Sequence, residues 1–188
     1  MKSNLVKSIR LTLVLIVLLC VVYPVFISFA GKLSKGKGDG ETISVNGKVV
    51  GYANEGQSFT QQKYFWGRPS AVGYNAAGSA GSNKGPSNPD YLKDVASRID
   101  TLLKYHPYLK RSDIPAEMVT ASGSGLDPDI SPDAAKIQIK RVADVRGLSV
   151  QQVTDLVAAH TEAPLLGLFG PAKVNVLKLN VALDQLKK

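Results

Sequence analysis

The sequence has 188 residues, of which 44% are hydrophobic and 20% charged, and its formal net charge is +8. It contains 17 glycines and one cysteine. These values exclude a collagen, a disulfide-rich small protein and a fully disordered chain, and the length suits one domain of moderate size.

An apolar segment near the N-terminus is the first predicted element. Residues 11–30 carry no charge, and 17 of these 20 residues are apolar. At about 1.5 Å per residue, a helix of this length can cross the hydrocarbon core of a bilayer. Three cationic residues lie on each side, so flanking charge does not fix the orientation of the segment. They are Lys2, Lys7 and Arg10 before it, and Lys32, Lys35 and Lys37 after it.

The residues are compatible with either a cleaved signal peptide or an uncleaved membrane anchor. Ser28 and Ala30 are small residues at the spacing of a signal-peptide cleavage site, whereas 20 apolar residues exceed the usual signal segment and favour an uncleaved anchor. In either case we expect residues 1–10 to stay in the cytoplasm and the large remainder to be exported. Residues 31–41 are rich in Gly and Lys. They predict a flexible linker to a domain over 42–188.

The first half of the exported part predicts strands and then a loop. Asn46-Gly47 separates two short apolar runs within 43–50, which is the pattern of a two-residue hairpin. Residues 59–66 could extend that sheet. From 78 to 90, ten of 13 residues are Gly, Ser, Asn or Pro. This composition predicts a loop.

The second half predicts three helices, a strand over 174–179 and a short final helix. Each of the three helices begins at a side chain that can accept a hydrogen bond from the first turn, and each ends near Pro or Gly. The caps are Asn88, Ser131 and Ser149, and the expected stops are Pro107, Gly147 and Pro164. The fold class predicted for 42–188 is therefore α+β, with a short sheet and about three helices.

Two stretches resemble ligand-binding loops but lack parts that the chemistry requires. In the Gly-rich loop 78–89, Lys84 has neither the preceding Gly nor the following hydroxyl of a phosphate-binding loop. Asp127, Asp129, Ser131 and Asp133 alternate like the start of a calcium loop, but the later Gly and Glu of that loop are missing. We therefore expect a plain loop in the first case. In the second we expect Ser131 and Asp133 to stabilise a helix start rather than bind a metal.

Ser122 or Ser124 with His160 are the candidates for nucleophilic catalysis, as in an anchored periplasmic serine hydrolase. That hypothesis needs an orienting group and an oxyanion site, which the sequence does not display. His106 and His160 lie at predicted helix ends, where a cation interacts favourably with the helix dipole. The positive charge does not indicate nucleic acid as a partner, because the sequence has no basic helix or RNA-binding motif.

Three consecutive aromatic residues, Tyr64, Phe65 and Trp66, are followed by Arg68. Successive side chains of a strand point to opposite faces, so three adjacent aromatics cannot all enter one core. Two small cores, one on each face, would satisfy the pattern. Otherwise at least one ring is exposed or covered by a partner, with Arg68 able to stack on it or make a bidentate contact. These four residues are thus a candidate partner interface.

Five stretches of the sequence, together with the N-terminal apolar segment, form a set of motifs in a fixed order. They are YFWGRPSA at 64–71, GSNKGPSNP at 81–89, VTASGSGLDPDISPDAA at 119–135, QIKRVADVRGLSVQQV at 138–153 and VNVLKLNVALD at 174–184. With these motifs the sequence resembles the C subunit of the Kdp potassium-transporting P-type ATPase. The resemblance covers the chain from the anchor almost to its last residue, and residues 32–58 depart most from it.

The resemblance implies an accessory, non-catalytic subunit of a bacterial inner-membrane complex that is needed for assembly and activity. Its partners would be a channel-like A subunit, which conducts potassium, and a B subunit, which hydrolyses ATP. The family is described as a catalytic chaperone that raises the ATP affinity of the B subunit.

ATP is the one cofactor that the resemblance suggests. The segment 119–125 is likened in the family to a nucleotide-binding signature, which implies ATP contacts at Ser122, Gly123, Ser124, Gly125 and Gln138. An exported domain would not meet cytosolic ATP. Either the effect on ATP affinity passes through membrane helices, or the nucleotide binding is not physiological; a subunit that binds ATP directly is the alternative.

Overall fold

A long apolar helix begins the chain. The computed structural model describes residues 2–186, so Met1, Lys187 and Lys188, at the ends of the predicted segments, lie outside the described residues. The helix comprises α1 (Lys2–Val17), a π-helical turn (Leu18–Val22) and α2 (Tyr23–Gly31). Pro24 is the second residue after the π turn and lacks the backbone N–H that a regular helix needs there. The 29 residues Ser3–Gly31 are long and apolar enough to cross a membrane, and this stretch is unburied.

The chain divides into two units, Met1–Thr42 and Ile43–Lys188. From the last residue of the first unit onward, β1 (Thr42–Val45) and β2 (Lys48–Tyr52) form a two-stranded sheet. Asn46 and Gly47 have φ of 52° and 76°, the left-handed values that a two-residue hairpin turn requires. The predicted hairpin is therefore confirmed.

The expectation that 59–66 extends this sheet is wrong. In the described chain, residues 53–88 form turns and irregular segments and belong to no strand. The backbone polar groups of this stretch find side-chain partners instead of a neighbouring strand, as the site described below shows.

A second sheet of three short strands was not predicted. Its central strand is β5 (Lys173–Asn175), which pairs antiparallel with β3 (Asp129–Ile130) and β4 (Thr161–Glu162). Ile130 and Thr161 both lie opposite Val174, whose side chain is fully buried. Strands of two or three residues are too short to leave a periodic signal in the sequence.

Two predicted helices are confirmed with their caps. In α3 (Pro89–Tyr105), the Asn88 side chain accepts from the N–H groups of Asp90 and Tyr91. In α6 (Val150–Ala159), Ser149 and Gln152 bond each other's backbone N–H groups as a capping box. Between α3 and β3 lie two 3₁₀ turns, Arg111–Asp113 and Ala116–Met118.

The single helix predicted from Ser131 to Gly147 is wrong, because the structure has two. Ser131 caps α4 (Pro132–Lys136), and α5 (Ile139–Arg146) ends at Gly147 with left-handed backbone. At the break, the Tyr108 hydroxyl donates to the Ile137 carbonyl at 2.8 Å and accepts from the Arg141 N–H at 3.2 Å. A side chain from outside thus satisfies backbone groups that the break releases.

The strand predicted at 174–179 is also wrong beyond its first residues. The Asn175 side chain accepts from the Lys178 N–H at 3.0 Å and starts α7 (Val176–Gln185). Val176, Leu179 and Leu183 are buried at helical spacing. The apolar residues fit both the alternating pattern of a strand and the i, i+3, i+4 pattern of a helix, and the capping residue decides in favour of the helix.

One apolar core joins these elements and makes the second unit an α+β domain, as predicted. Phe65 enters it from the irregular segment before α3 and has no exposed surface. The other central side chains come from α3, β3, α5, α6, β5 and α7: Ile99, Leu102, Ile130, Val142, Val153, Val174, Leu179 and Leu183.

Asn175→Ala should destabilise the protein more than Asn88→Ala. Both changes remove a helix cap, worth about 1 kcal/mol. Asn175 Nδ2 also donates to the Ala53 carbonyl at 2.7 Å in a buried position, and losing that bond adds about 1–3 kcal/mol. Urea unfolding of the detergent-solubilised chain, followed by the fluorescence of its one tryptophan, Trp66, measures both variants. Equal losses in the two variants would contradict the role given to Asn175.

Candidate functional site

The site is built around a short irregular stretch, residues 62–66, which we call the aromatic segment. Each of its five backbone carbonyls accepts a hydrogen bond from a side chain on or beside α5 and α7. Arg141 binds the carbonyls of Gln62 and Tyr64, Arg146 that of Lys63, Asn180 that of Phe65 and Gln138 that of Trp66. We call these four residues, Gln138, Arg141, Arg146 and Asn180, the clamp.

The two amide side chains of the clamp also bind backbone N–H groups. Asn180 Oδ1 accepts from the Phe65 N–H and Gln138 Oε1 from the Trp66 N–H, both at 2.8 Å. Each amide therefore satisfies both polar groups of one buried peptide residue, as a neighbouring strand would. This explains how a segment without strand partners can place Phe65 in the core.

Arg141 carries a charge into the interior. Its side chain is buried, and none of the partners described for it is a carboxylate. The guanidinium carbon lies 4.3 Å from the centre of the Trp66 ring, and Nε donates to His106 Nε2 at 2.9 Å. Burial lowers the pKa of Arg141 to about 10, so the group is still protonated at neutral pH. Carbonyl oxygens and an aromatic face take the place of a counter-ion.

His106 is a neutral hydrogen-bond acceptor, and the expectation of a helix-terminal cation is wrong for it. The ring is fully buried at the end of α3, and Nδ1 lies 2.8 Å from the Leu102 carbonyl. Burial, together with the nearby Arg141 charge, lowers the pKa of His106 to about 4. Nδ1 therefore carries the proton and Nε2 is free to accept from Arg141. His160 lies at the end of α6, as predicted, with Nδ1 2.9 Å from the Leu156 carbonyl.

The four residues predicted as a partner interface have different environments. Phe65 is fully buried, whereas Tyr64, Trp66 and Arg68 are half-buried. Tyr64 donates to Asp184 at 2.9 Å, Trp66 donates through its ring to the Gln61 carbonyl at 3.0 Å, and Arg68 binds Asp127 at 2.8 Å. Solvent therefore reaches three of the four, and their role at an interface stays a prediction.

The Gly-rich segment 122–125 packs against the loop that follows Arg68. Ser70 Oγ donates to the Gly125 carbonyl at 2.6 Å, and the Ser122 N–H donates to the Pro69 carbonyl at 3.0 Å. Gly125 has φ of 69°, and a Cβ there would lie 2.7 Å from the Ala80 carbonyl oxygen, so only Gly fits. Ser122 Oγ accepts from the Gly125 N–H. These contacts join two loops that the sequence places about 50 residues apart.

The residues implicated in ATP binding by resemblance contact different neighbours. Ser122 and Gly125 are buried against 69–80, and Gly123 and Ser124 are exposed. Gln138 is fully buried, with Nε2 donating to the carbonyls of Trp66 and Ala134, and Oε1 accepting from Trp66 and Arg141. The structure joins Ser122 to Gly125 directly and gives Gln138 a place in the clamp.

An open apolar groove of about 330 Å³ lies beside the aromatic segment. Trp66, Tyr74 and Tyr105 contribute rings to it, and Met118 lies among its other lining residues. Arg98, also in the lining, donates to the Val119 carbonyl at 2.9 Å. A groove of this chemistry suits an apolar or aromatic group.

The acidic residues that resembled a calcium loop have protein partners. Asp127 binds Arg68, Asp129 binds Lys173 at 2.8 Å, and Ser131 Oγ accepts from the Ala134 N–H at 3.1 Å. Among the described residues, no group of three or more His, Cys, Asp or Glu side chains is arranged to hold a metal ion.

Sequence reasoning missed most of the clamp. Arg141, Arg146 and Asn180 were not singled out, and Gln138 was named only by resemblance. The signal was present, since Gln138 and Arg141 lie three positions apart in an otherwise apolar stripe and Asn180 lies inside the apolar run of α7. Polar residues at core positions of a helix need buried partners.

A comparison with known protein families covers nearly the whole chain. A family model described as "KdpC: K+-transporting ATPase, c chain" matches residues 5–185. The chain belongs to the KdpC family. The clamp residues and the aromatic segment all lie within the matched region.

Curated relatives agree over nearly full length. A "Potassium-transporting ATPase KdpC subunit" of Bacteroides fragilis is 58% identical over 188 residues, which cover 98% of this chain and 98% of the relative. Proteins with the same name from Flavobacterium johnsoniae and Caldanaerobacter subterraneus are 60% and 48% identical over 185 and 190 residues. The first alignment covers 98% of this chain and 100% of the relative, and the second covers 100% and 98%.

Gln138→Ala should lower the free energy of unfolding by about 2–4 kcal/mol, because it leaves two backbone groups of Trp66 and one donor of Arg141 without partners. The control is Gln151→Ala, an exposed residue that bonds Asp155, and it should cost under about 0.5 kcal/mol. Urea unfolding at pH 7.5 tests both. A Gln138→Ala variant as stable as the wild type would show that the clamp does not hold the aromatic segment.

Stability should fall as the pH drops from about 6.5 to about 4. The pKa of His106 is 6.5 in the unfolded state and about 4 in the folded state. Between these two pH values the unfolded state therefore binds a proton on His106 that the folded state does not bind, and this favours unfolding. The loss should reach about 2–4 kcal/mol near pH 4. Unfolding curves at several pH values measure it. His106→Gln keeps an acceptor for Arg141, and its curve should be flatter by this amount; an unchanged slope would exclude His106 as the cause.

Proposed function

We propose that the chain is a non-catalytic accessory subunit of an ATP-driven potassium uptake complex and is needed for the assembly and activity of that complex. Family membership over residues 5–185 carries the proposal, because the matched region includes both the apolar helix and nearly all of the second unit. A single helix cannot enclose an ion pathway, so potassium conduction falls to another subunit. The partners are a channel-like A subunit and an ATP-hydrolysing B subunit.

In this proposal the chain is a single-pass protein of the bacterial inner membrane. Residues 1–10 are cytoplasmic, 11–30 span the bilayer, 31–41 link and 42–188 form the extracytoplasmic domain. The length and apolar character of Ser3–Gly31 support the span. The translocation of long polar domains regardless of their charge supports the orientation. The helix packs against the channel subunit, and the domain covers its extracytoplasmic mouth.

The chain raises the ATP affinity of the catalytic subunit indirectly, through contacts in the membrane and at the extracytoplasmic surface. The position of Gln138 supports an indirect route. Both atoms of its amide group are used inside the domain, so a direct contact with nucleotide would have to break bonds worth about 1–3 kcal/mol each if left unsatisfied. Direct ATP binding by Ser122–Gly125 with Gln138 is the competing outcome.

Removal and re-addition of the chain test the accessory role. A complex prepared without it should lack potassium-stimulated ATP hydrolysis, and adding the purified full chain should restore activity. Fully coupled transport without the chain would overturn the proposal. The Gln151→Ala variant should restore activity as well as the wild type does, because it leaves the domain intact.

The two routes to ATP affinity are separated by calorimetry. ATP titrated into the detergent-solubilised full chain should give no saturable heat, while the KM for ATP of the reassembled complex should fall as the chain is supplied. Saturable binding that Ser122→Ala or Gln138→Ala abolishes, in variants that stay folded, would instead establish the direct route.

A further inference from the structure

The connection between β4 and β5 projects four large apolar side chains into solvent. We call residues 164–170 the apolar tip. Leu166 and Leu168 are each 81% exposed, Leu165 is 69% exposed and Phe169 is 63% exposed. A protein that works alone seldom exposes a group of large apolar side chains to this extent.

The tip is a closed turn with its own backbone bonds. The Leu165 N–H donates to the Phe169 carbonyl at 2.9 Å and the Phe169 N–H to the Leu165 carbonyl at 3.0 Å. The Leu168 N–H also donates to the Leu165 carbonyl, at 3.1 Å. Leu166 has a left-handed φ of 55°, which is unusual for a bulky residue. These bonds fix the backbone of the turn, which lowers the backbone entropy that is lost on binding.

The chemistry of the tip restricts its partner. From 163 to 172 the sequence reads Ala-Pro-Leu-Leu-Gly-Leu-Phe-Gly-Pro-Ala, without one charged or hydrogen-bonding side chain. At its base, Lys173 lies 2.8 Å from Asp129 and 3.8 Å from Glu162, so one cation stands beside two carboxylates. Attraction to anionic lipid requires an excess of cations next to the apolar residues, and the base of the tip has the opposite balance.

We propose that the apolar tip is a docking knob that fits an uncharged, apolar pocket on the extracytoplasmic surface of a membrane-embedded subunit of the same ATPase. The occupant is a protein rather than a lipid surface, because the tip has a fixed shape and its base has an excess of negative charge. This inference rests on the proposed function, since it requires that the chain work in a complex. Leu166 and Leu168, the most exposed side chains, are the anchors.

Cysteine labelling tests whether the tip is covered on assembly. The variant Leu166→Cys is made in a Cys20→Ser background, because Cys20 is the one native cysteine. A membrane-impermeant maleimide is applied to the full chain in detergent, to the full chain alone in vesicles containing anionic lipid, and to the assembled complex in the same vesicles. Labelling in the complex should be about tenfold slower than in the other two samples, because an apolar pocket shields the thiol and disfavours its thiolate.

A matched control is Leu92→Cys, which replaces another exposed apolar residue, on α3, 51% exposed. It should be labelled at similar rates in all three samples. Slow labelling of Leu166→Cys in vesicles without partners would assign the tip to lipid and overturn the proposal. Equal rates in all samples, or equal protection of both positions, would also overturn it.

A second measurement uses substitution of the anchors. Leu166→Ser with Leu168→Ser should leave the unfolding curve of the chain unchanged, because both side chains are already in water. It should reduce the amount of chain that copurifies with a tagged partner subunit by about tenfold or more. The doubly substituted Leu92→Ser, Val150→Ser chain should copurify normally. If removing the whole chain has no effect on the pump, the proposed function fails; if removal matters but these tip variants behave as wild type, only the docking inference fails.

Discussion

A buried backbone without a strand or helix must find hydrogen-bond partners among side chains, and this constraint organises the second unit. The aromatic segment brings Phe65 into the core without regular structure. The clamp binds its five carbonyls and the N–H groups of Phe65 and Trp66, at distances of 2.7–3.1 Å where Arg146, Gln138 and Asn180 bind. Each clamp residue occupies a core-facing or half-buried position, where an apolar residue would avoid the desolvation cost of burying a polar group. The polar residues remain because the segment cannot be buried without them.

The clamp also connects several of the sequence motifs of this chain to one another. The segment 62–66 is bound by side chains from 138–146 and from α7, and the loop after it is bound to 122–127 through Arg68 and Ser70. A change in one motif therefore leaves unsatisfied groups in another. Besides the carbonyl oxygens, a neutral His106 and the Trp66 ring stabilise the buried charge of Arg141, so three residues far apart in sequence form one electrostatic unit.

Local signals in the sequence predicted the elements that local interactions determine. The apolar helix, the Asn46-Gly47 hairpin and the capped helices α3 and α6 follow from composition, turn chemistry and capping alone. The break between α4 and α5 could not be predicted, because the Tyr108 hydroxyl that supports it comes from 29 residues before Ile137. The strand expected at 174–179 ends at Asn175, because the side chain of Asn175 caps a helix that starts at Val176. The clamp arises from contacts across 70 or more residues, which no local pattern encodes.

The domain departs from ordinary burial in two opposite ways, and each has its own physical reason. In the clamp, polar side chains lie inside, and the structure shows a partner for each of them, so their position is explained by folding. In the apolar tip, hydrophobic side chains lie outside, and folding gains nothing from them there. An apolar group exposed at the end of a fixed turn lowers solubility and stabilises nothing until another surface covers it. The buried polar side chains are thus accounted for by the folding of the domain, whereas the exposed apolar side chains of the tip are accounted for by a second molecule that covers them.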